Sequence, residues 1–409
     1  MASCGGVRWV RRWSSIVAPF ALLVALATLA PLADAAAGAT GPAGTCPAGA
    51  GAGECAPGSG AGLDAHGELF GLHAIDMTRT DEARMRDELM AQMSTVGFLV
   101  LTNIPDYDEA AYLRACKALH ALSPAQKRRL YLRHDEAGNA NIYRGYQPFK
   151  ANDASHKEFF DQGFALSMLS ESERAFPLYE ATPFPLEPEL AWIRGAFDKV
   201  FLSWYGLALR VVRLLAEGLG KPRNYFDAWF VGGSLSTFRT IHYLPRRAGV
   251  VDSSDMSAED RSLTTPPHAD SGFLTFLATF GYPGLQVLVD GKYRSVAPMN
   301  NTLVVNLGDT FARITHYRLK ATFHRVLDIN EERYSSPMFL EPKYSARIPK
   351  GLLESDRSRA DERVGEEDVM FGDWLIRRMM HSYVEWKTFQ VPESRKRFVD
   401  AVKLSDFVN

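Results

Sequence analysis

Cysteine is scarce in this chain: there are four in 409 residues. Only Cys116 falls where the hydrophobic patterning is that of a folded domain, which excludes a disulfide-held scaffold. An excess of charge of one sign is also missing. Lys and Arg number 46 against 48 Asp and Glu, a formal net charge of -2, so no basic surplus exists to hold a phosphate backbone and nucleic acid is not expected as a partner. No stable membrane span is expected in the mature chain either. The long apolar stretch around residues 188–220 is interrupted by Arg194, Asp198, Lys199, Arg210 and Arg213, which a bilayer core would not tolerate. What remains, 46% hydrophobic and 23% charged, is the composition of a globular protein long enough for one large domain with helical additions.

The N-terminus stands apart. Arg8, Arg11 and Arg12 precede the run "IVAPFALLVALATLAPL", and Ala33, Asp34 and Ala35 end it with small residues, the three-part layout of a signal cleaved after Ala35. Pro19 and Pro31 break the run and disfavour a permanent anchor, while an organellar presequence stays open. The expected location is therefore the secretory pathway or an organelle lumen. Residues 36–66 are Gly- and Ala-rich and read as a flexible linker. Within it, Cys46 and Cys55 suit a small disulfide loop better than a zinc site, which needs two more ligands.

From residue 67 to 230 the chain mixes helices with a strand. Met85, Leu89 and Met93 recur on one helical face that ends at Gly97, and the strand-like "FLVLTNI" follows. A second helix is expected over Glu109 to Leu122, stopping before Ser123 and Pro124. Residues 135–165 show no clear period and read as a long connection. Ile193, Phe197, Phe201, Trp204, Leu207, Val211 and Leu215 then mark a long scaffold helix. Residues 231–345 change to short strands, with Asp290-Gly291 as a two-residue hairpin signal, and imply a sandwich, jelly roll or barrel. Residues 346–409 read as a helical extension. The expected class is mainly β with flanking helices.

Within the β region, "PPHADSGFLTF" places His268 and Asp270 two apart, so that on a strand both side chains face one way. Spacing alone is weak, because His134 with Glu136 and His156 with Glu158 have the same form. His324 in "KATFHRVLDI" supplies a third group. Two histidines and one carboxylate on one face of a metal form the arrangement of non-heme Fe(II) oxygenases. In "RYS", Arg333 and Ser335 share a strand face, and an inward guanidinium requires an anionic partner, with a geometry suited to a carboxylate.

With these residues, the chain resembles the isopenicillin N synthase-like branch of the Fe(II)/2-oxoglutarate-dependent dioxygenases. The stretches "STVGFLVLTNI", "YRGYQPF", "RLLAEGLGKPRNYF", "PHADSGFLTFL", "GLQVL", "VVNLGD", "KATFHRV" and "RYSSPMF" occur in the family's order across residues 70–345. The resemblance implies a double-stranded β-helix, or jelly-roll, core with an N-terminal α/β segment. It implies His268, Asp270 and His324 as iron ligands, Arg333 and Ser335 holding the distal carboxylate of 2-oxoglutarate, and Tyr243 assisting them. Asn306 is either a pocket residue or a strand-end residue, and His316 is read as an exposed turn histidine.

The implied reaction consumes dioxygen and 2-oxoglutarate, releases succinate and carbon dioxide, and oxidises a small molecule, by hydroxylation as the default. Retention of Asp270 argues against halogenation. The alternatives are an oxidase of the isopenicillin N synthase type that does not use 2-oxoglutarate, and an inert metal- or ligand-binding module. By position in the family, "NIYRGYQPF" and "FGDWLIRRMMHSY" flank the barrel mouth. Tyr143, Tyr146 and Phe149 are expected as aromatic wall and Arg144 as an anion contact. Packing is the competing role for Tyr146, Phe149, Trp374 and Met380.

Overall fold

Thirteen short strands and a handful of helices account for most of the hydrophobic patterning, in a computed structural model that describes residues 68–69, 72–136, 140–150, 155–245, 263–348 and 369–402. The expected leader, the linker and the Cys46–Cys55 loop lie outside the described residues.

The strands are β1 (Glu68–Leu69), β2 (Leu72–Asp76), β3 (Phe98–Thr102), β4 (Gly145–Gln147), β5 (Lys157–Gln162), β6 (Thr237–Tyr243) and β7 (Leu263–His268). After them come β8 (Leu274–Ala278), β9 (Leu285–Val289), β10 (Lys292–Ser295), β11 (Leu303–Leu307), β12 (His324–Leu327) and β13 (Arg333–Leu340). The longer helices are α1 (Glu82–Thr95), α2 (Glu109–His120), α3 (Pro124–Leu130), α4 (Ala191–Gly218), α5 (Asp309–Ile314), α6 (Phe371–Ser382) and α7 (Glu393–Ala401). Among the described residues the strands form a nine-stranded sheet, ordered β1-β2-β3-β11-β8-β13-β6-β5-β4, and a four-stranded sheet, ordered β10-β9-β12-β7. The large sheet takes strands from both sides of residue 230.

Alternation across the large sheet separates two environments. Phe238, Phe276, Met338, Leu303 and Val305 point outward into the main core, where the long helix α4 contributes Phe197, Phe201 and Trp204. Trp204 is fully buried, with its ring edge-on to Tyr107 and Phe238 at 5.2 and 5.3 Å. The inward residues face the smaller sheet. One end of that space closes as a second core of Phe98, Val100, Leu285, Val287, Val296 and Val304. The other end stays open as a chamber.

Local chemistry sets the joints. Asp108 caps α2 by accepting from the Ala111 amide at 2.9 Å. That helix ends at His120, and Ser123 and Gln126 build a capping box for α3 with Pro124 at its start. The hairpin between β9 and β10 turns on Asp290 and Gly291 at φ 49° and 71°, the conformation a two-residue turn requires.

The long connection expected over residues 135–165 instead contains β4 and β5. Strand β5 reads "KEFFDQ" and shows no apolar alternation because each face carries one phenylalanine between polar residues, Phe159 toward the chamber and Phe160 in the main core. Lys157 and Asp161 face the chamber, while Glu158 enters a buried ion network on the outer face. No helix among the described residues is long and apolar enough to cross a membrane.

Gly97 ends α1 at φ +73°, and a Cβ there would lie 2.0 Å from the Lys320 carbonyl oxygen. Gly97→Ala is expected to lose roughly 2–4 kcal/mol of stability, because left-handed backbone strain and a main-chain clash add. Urea unfolding at pH 7 measures it, and an unchanged midpoint would contradict the close approach.

Candidate active site

The chamber between the sheets has a volume of about 720 Å³. Its walls come from inward residues of β5, β6, β8 and β13 on one side, from β7 and β12 on the other, and from the segment after α6.

Strand β7 carries Pro266 and Pro267 and lies at the edge of the four-stranded sheet, where a residue without an N–H does not break a ladder. It delivers His268 opposite His324, its register partner on β12, and the two rings lie 4.3 Å apart. One ligand atom from each of His268, Asp270 and His324 falls within 4.8 Å of the others. Nδ1 of His268 is 2.9 Å from the Pro266 carbonyl and Nδ1 of His324 is 3.2 Å from the Thr322 carbonyl. Both Nδ1 atoms therefore carry a proton and donate, and the two Nε2 atoms face Asp270 Oδ1 at 3.5 and 3.8 Å. Asp270 Oδ2 accepts from Thr275 Oγ1 at 2.5 Å and Asn306 Nδ2 at 2.8 Å. Each candidate ligand is thus held by its far atom with its near atom free, the outer-shell pattern of a metal centre.

Burial works against charge on Asp270. The imidazoles of His324 and His268 and the Asn306 amide outweigh it and hold the carboxyl well below the usual carboxylate range. Burial also lowers His324, against the pull of Asp270. Burial opposes charge on His268 too, but the Asp270 carboxylate and the Pro266 carbonyl outweigh it and raise this imidazole; two imidazoles and one carboxylate are a donor set that fits Fe(II).

A second cluster lies across the chamber. Arg333 is buried, yet no carboxylate among the described residues lies within ion-pair distance of it. Its Nη2 donates to Thr264 Oγ1 at 2.9 Å and more weakly to the Leu327 carbonyl at 3.4 Å. The guanidinium stacks 3.6 Å above the Tyr243 ring. Burial raises the Tyr243 hydroxyl, but Arg333, Lys157 and a hydrogen bond from Ser335 more than offset it, so its pKa lies below the ordinary phenol value. Lys157, which the sequence did not single out, donates to the Thr264 carbonyl and Thr265 Oγ1 at 3.2 and 3.1 Å. A buried corner with two cations and two hydroxyls is complementary to a carboxylate.

Other expected residues are placed differently. Asn306 lines the chamber and fixes Asp270. His316 is an exposed turn residue. His134 lines the chamber beside Asp135 without joining the triad, and His156 packs edge-on to Phe149 at 4.9 Å. Tyr143 is on the wall, but Tyr146 turns to the outer face of the sheet, where it stacks 5.7 Å from Tyr131. Arg144 is no anion contact, being buried behind the wall with Nη1 on Thr237 Oγ1 at 2.6 Å and Nη2 on the Leu235 carbonyl at 2.8 Å. Trp374 is core, and Met379 rather than Met380 reaches the chamber.

Behind the cationic corner, on the outer face, Glu158 accepts from Lys127 Nζ at 3.1 Å, and His242 Nδ1 lies 2.9 Å from it. His120 approaches the same oxygen at 3.3 Å, and His242 Nε2 reaches Glu332 at 2.8 Å. His120, Glu158 and His242 also have metal-like spacing, but the Lys127 ammonium already occupies that carboxylate, so the group is complete as an ion network. Only tertiary contact assembles it, which is why no sequence pattern announces it.

A jelly-roll chamber with two histidines and one carboxylate opposite a buried cationic corner is a candidate mononuclear metal site beside a candidate carboxylate-binding site. Residues 240–342 match the family model of the 2OG-Fe(II) oxygenase superfamily. Among curated proteins it is similar to gibberellin 20 oxidase 2 of Oryza sativa subsp. indica, 34% identical over 159 residues, covering 39% of this chain and 38% of that protein. It is also similar to gibberellin 20 oxidase 1 of Arabidopsis thaliana, 36% identical over 170 residues, covering 40% and 42%. The chain thus spans about two-fifths of the length of these relatives. Among solved structures, a putative 2OG-Fe(II) oxygenase family protein from Caulobacter crescentus superposes with a TM-score of 0.61 at 25% identity, covering 76% of this chain and 98% of that one. A full-length Neurospora crassa protein in complex with alpha-KG superposes with a TM-score of 0.58 at 24% identity, covering 75% and 95%, and shares the fold.

Burial pushes the Glu158 carboxyl up, but hydrogen bonds from His120, His242 and Tyr146 drive it far below the carboxylate range. A depressed carboxylate adds stability above its unfolded pKa and loses it as pH falls through the folded one. Glu158→Gln should therefore cost about 2–4 kcal/mol at pH 7, with the deficit shrinking as pH drops below about 4. Urea unfolding across that range tests it, and a deficit that grew on acidification would contradict the assignment.

Proposed function

We propose that the protein is an Fe(II)- and 2-oxoglutarate-dependent oxygenase that hydroxylates a small organic molecule and releases succinate and carbon dioxide. One observation carries the reading. Three side chains offer free ligand atoms to a single point, in the same chamber as a buried guanidinium that has no carboxylate partner among the described residues. His268 Nε2, Asp270 Oδ1 and His324 Nε2 would hold the iron, and Arg333, Ser335 and Tyr243 the distal carboxylate of 2-oxoglutarate. Bound Fe(II) supplies the redox chemistry that couples dioxygen and the oxidative decarboxylation of 2-oxoglutarate to attack on a C–H bond. The chain's own contribution is positional. Thr275 and Asn306 fix the Asp270 carboxylate, the Pro266 and Thr322 carbonyls fix the imidazoles, and the apolar walls limit access of water.

His268→Ala, Asp270→Ala and His324→Ala are each expected to lose iron and to reduce succinate formation by about 100-fold or more, since among the described residues no fourth metal-binding side chain joins the group. Metal analysis and succinate release read both, and a variant with normal turnover would leave the triad. Arg333→Lys should raise the apparent KM for 2-oxoglutarate about 10-fold or more with a smaller effect on kcat, because a point charge replaces a planar fork. Identical 2-oxoglutarate titrations for wild type and variant would remove Arg333 from that role. Oxygen uptake without succinate would instead support the oxidase that does not use 2-oxoglutarate.

We also propose that the leader directs the chain to the secretory pathway or an organelle, with a mature start at Ala36, a reading supported by the arginines and apolar run at residues 8–35. Asn300, exposed in the turn before β11, heads the sequon Asn300-Asn301-Thr302 and is then open to glycosylation in a eukaryotic cell. N-terminal sequencing of protein from its native cell should find Ala36, and Met1 in a cytosolic fraction would refute export.

A further inference from the structure

The inward row of β13 runs Arg333, Ser335, Pro337, Phe339 and, one step past the strand, Glu341. Nothing in the proposed reaction uses the far end of this row. Glu341 is held there firmly: its amide donates to Ser236 Oγ at 2.9 Å and its carbonyl accepts from Ser234 Oγ at 2.6 Å. Its side chain is 6% exposed, and Oε2 accepts from the Tyr143 hydroxyl at 3.2 Å. Oε1 lies beside Gly272, where a Cβ would come within 3.6 Å of it. Gly272 is two residues beyond Asp270, so this carboxyl borders the chamber at the loop that carries the triad's acid.

Arg239 lines the same end. It is the register partner of Asp161 across β5 and β6 and forms a fork with it at 2.7 Å in both arms. Its guanidinium lies flat 3.8 Å over Phe159, with Phe339 at 5.7 Å. Behind the wall, Arg144 spends its donors on Thr237 and main-chain carbonyls. The cluster therefore balances two guanidinium groups, Arg144 and Arg239, against two carboxyl groups, Asp161 and Glu341. An incoming carboxylate would meet Asp161 and Glu341, and an incoming ammonium would meet the two arginines. Burying either charge without a partner is costly. A group that accepts from Arg239 and donates to Glu341 meets no such cost, and Ile142, Leu375, Met379 and Trp386 in the chamber suit an apolar body.

We propose that this end of the chamber is a substrate subsite for an uncharged hydroxyl or carboxamide group on an apolar skeleton, with Glu341 and Arg239 as the specificity-determining residues. The assignment rests on the oxygenase reading for its meaning, although the binding preference itself does not. Burial pushes the Glu341 carboxyl up to about 7 against the opposing pull of Arg144, so near neutral pH it can accept or donate. Arg378 on α6 also lines the chamber and is the group an anionic handle would seek.

The test uses one skeleton with four handles: 1-adamantanol, 1-adamantanecarboxamide, 1-adamantanecarboxylate and 1-adamantylammonium. Each is titrated calorimetrically into the full chain loaded with Fe(II) and 2-oxoglutarate without oxygen. The alcohol and carboxamide should bind at least about 10-fold more tightly than the two charged probes, the scale of one buried polar mismatch. In Glu341→Leu the spread should shrink to within about threefold, while Glu341→Gln, which keeps both hydrogen-bonding capacities, should retain the wild-type ranking. Tighter binding of the carboxylate, no binding of either uncharged probe, or an unchanged ranking in Glu341→Leu would overturn the subsite. A failed oxygenase reading shows separately, as no succinate from wild type supplied with Fe(II), 2-oxoglutarate and oxygen.

Discussion

The register of β5, β6 and β13 is the constraint on which the site depends. Lys157 and Arg333 both pair with Tyr243, and Glu158 and Tyr334 both pair with His242. The first three face the chamber as the anion corner, and the next residues along face outward, where His242 stacks on Tyr334 at 4.5 Å and bridges Glu158 and Glu332. Because side chains alternate with a period of two, a slip of one residue would exchange the two sets and put the buried ion network where the cationic corner now faces the chamber. The outer network therefore fixes strand position with directional bonds that apolar contacts would not supply.

The same alternation grades the chamber along its length. Cations gather at the β13 start, around Arg333, and a charge-balanced cluster lies past its end, around Glu341. The triad enters from the smaller sheet, and its loop comes back to the large sheet at Asp270, whose far oxygen is tied to Thr275 on β8 and Asn306 on β11. Those two strands are hydrogen-bonded neighbours, with Asn306 opposite Thr275. Asp270 and the cationic corner are thus tied to one continuous sheet, while His268 and His324 come from the other, so the spacing of the two sheets sets the geometry of the triad.

Glycine matters at the points where backbones meet. Gly272 leaves room for the Glu341 side chain, and Gly308 passes so close to the Gly272 carbonyl that a Cβ would lie 2.2 Å from it. These approaches bring the triad's loop against the start of α5, where the Asp309 amide donates to the Asp270 carbonyl at 2.7 Å. Burial raises the Asp309 carboxyl, with Arg313 and Arg378 pulling the other way.

The amino-acid sequence by itself marked His268, Asp270 and His324 as candidate ligands and Arg333 and Ser335 as a candidate clamp, with their roles implied by resemblance, and it located the long helix and the turn at Asp290-Gly291. Each of these depends on spacing within one element or on a motif of few residues. Strand β5 was illegible because each of its faces sets one phenylalanine between polar residues, so its pattern lacks the apolar alternation that marks a strand. Arg144 and Tyr146 could not be placed from position in the chain, since a single change of side-chain direction moves them from the chamber to the structure behind it. The Glu158 network and the Glu341 end of the chamber were decided only by tertiary structure. Their partners lie up to 198 residues apart, as Tyr143 and Glu341 do, and a charge acquires its role only when burial removes water and leaves specific neighbours in its place.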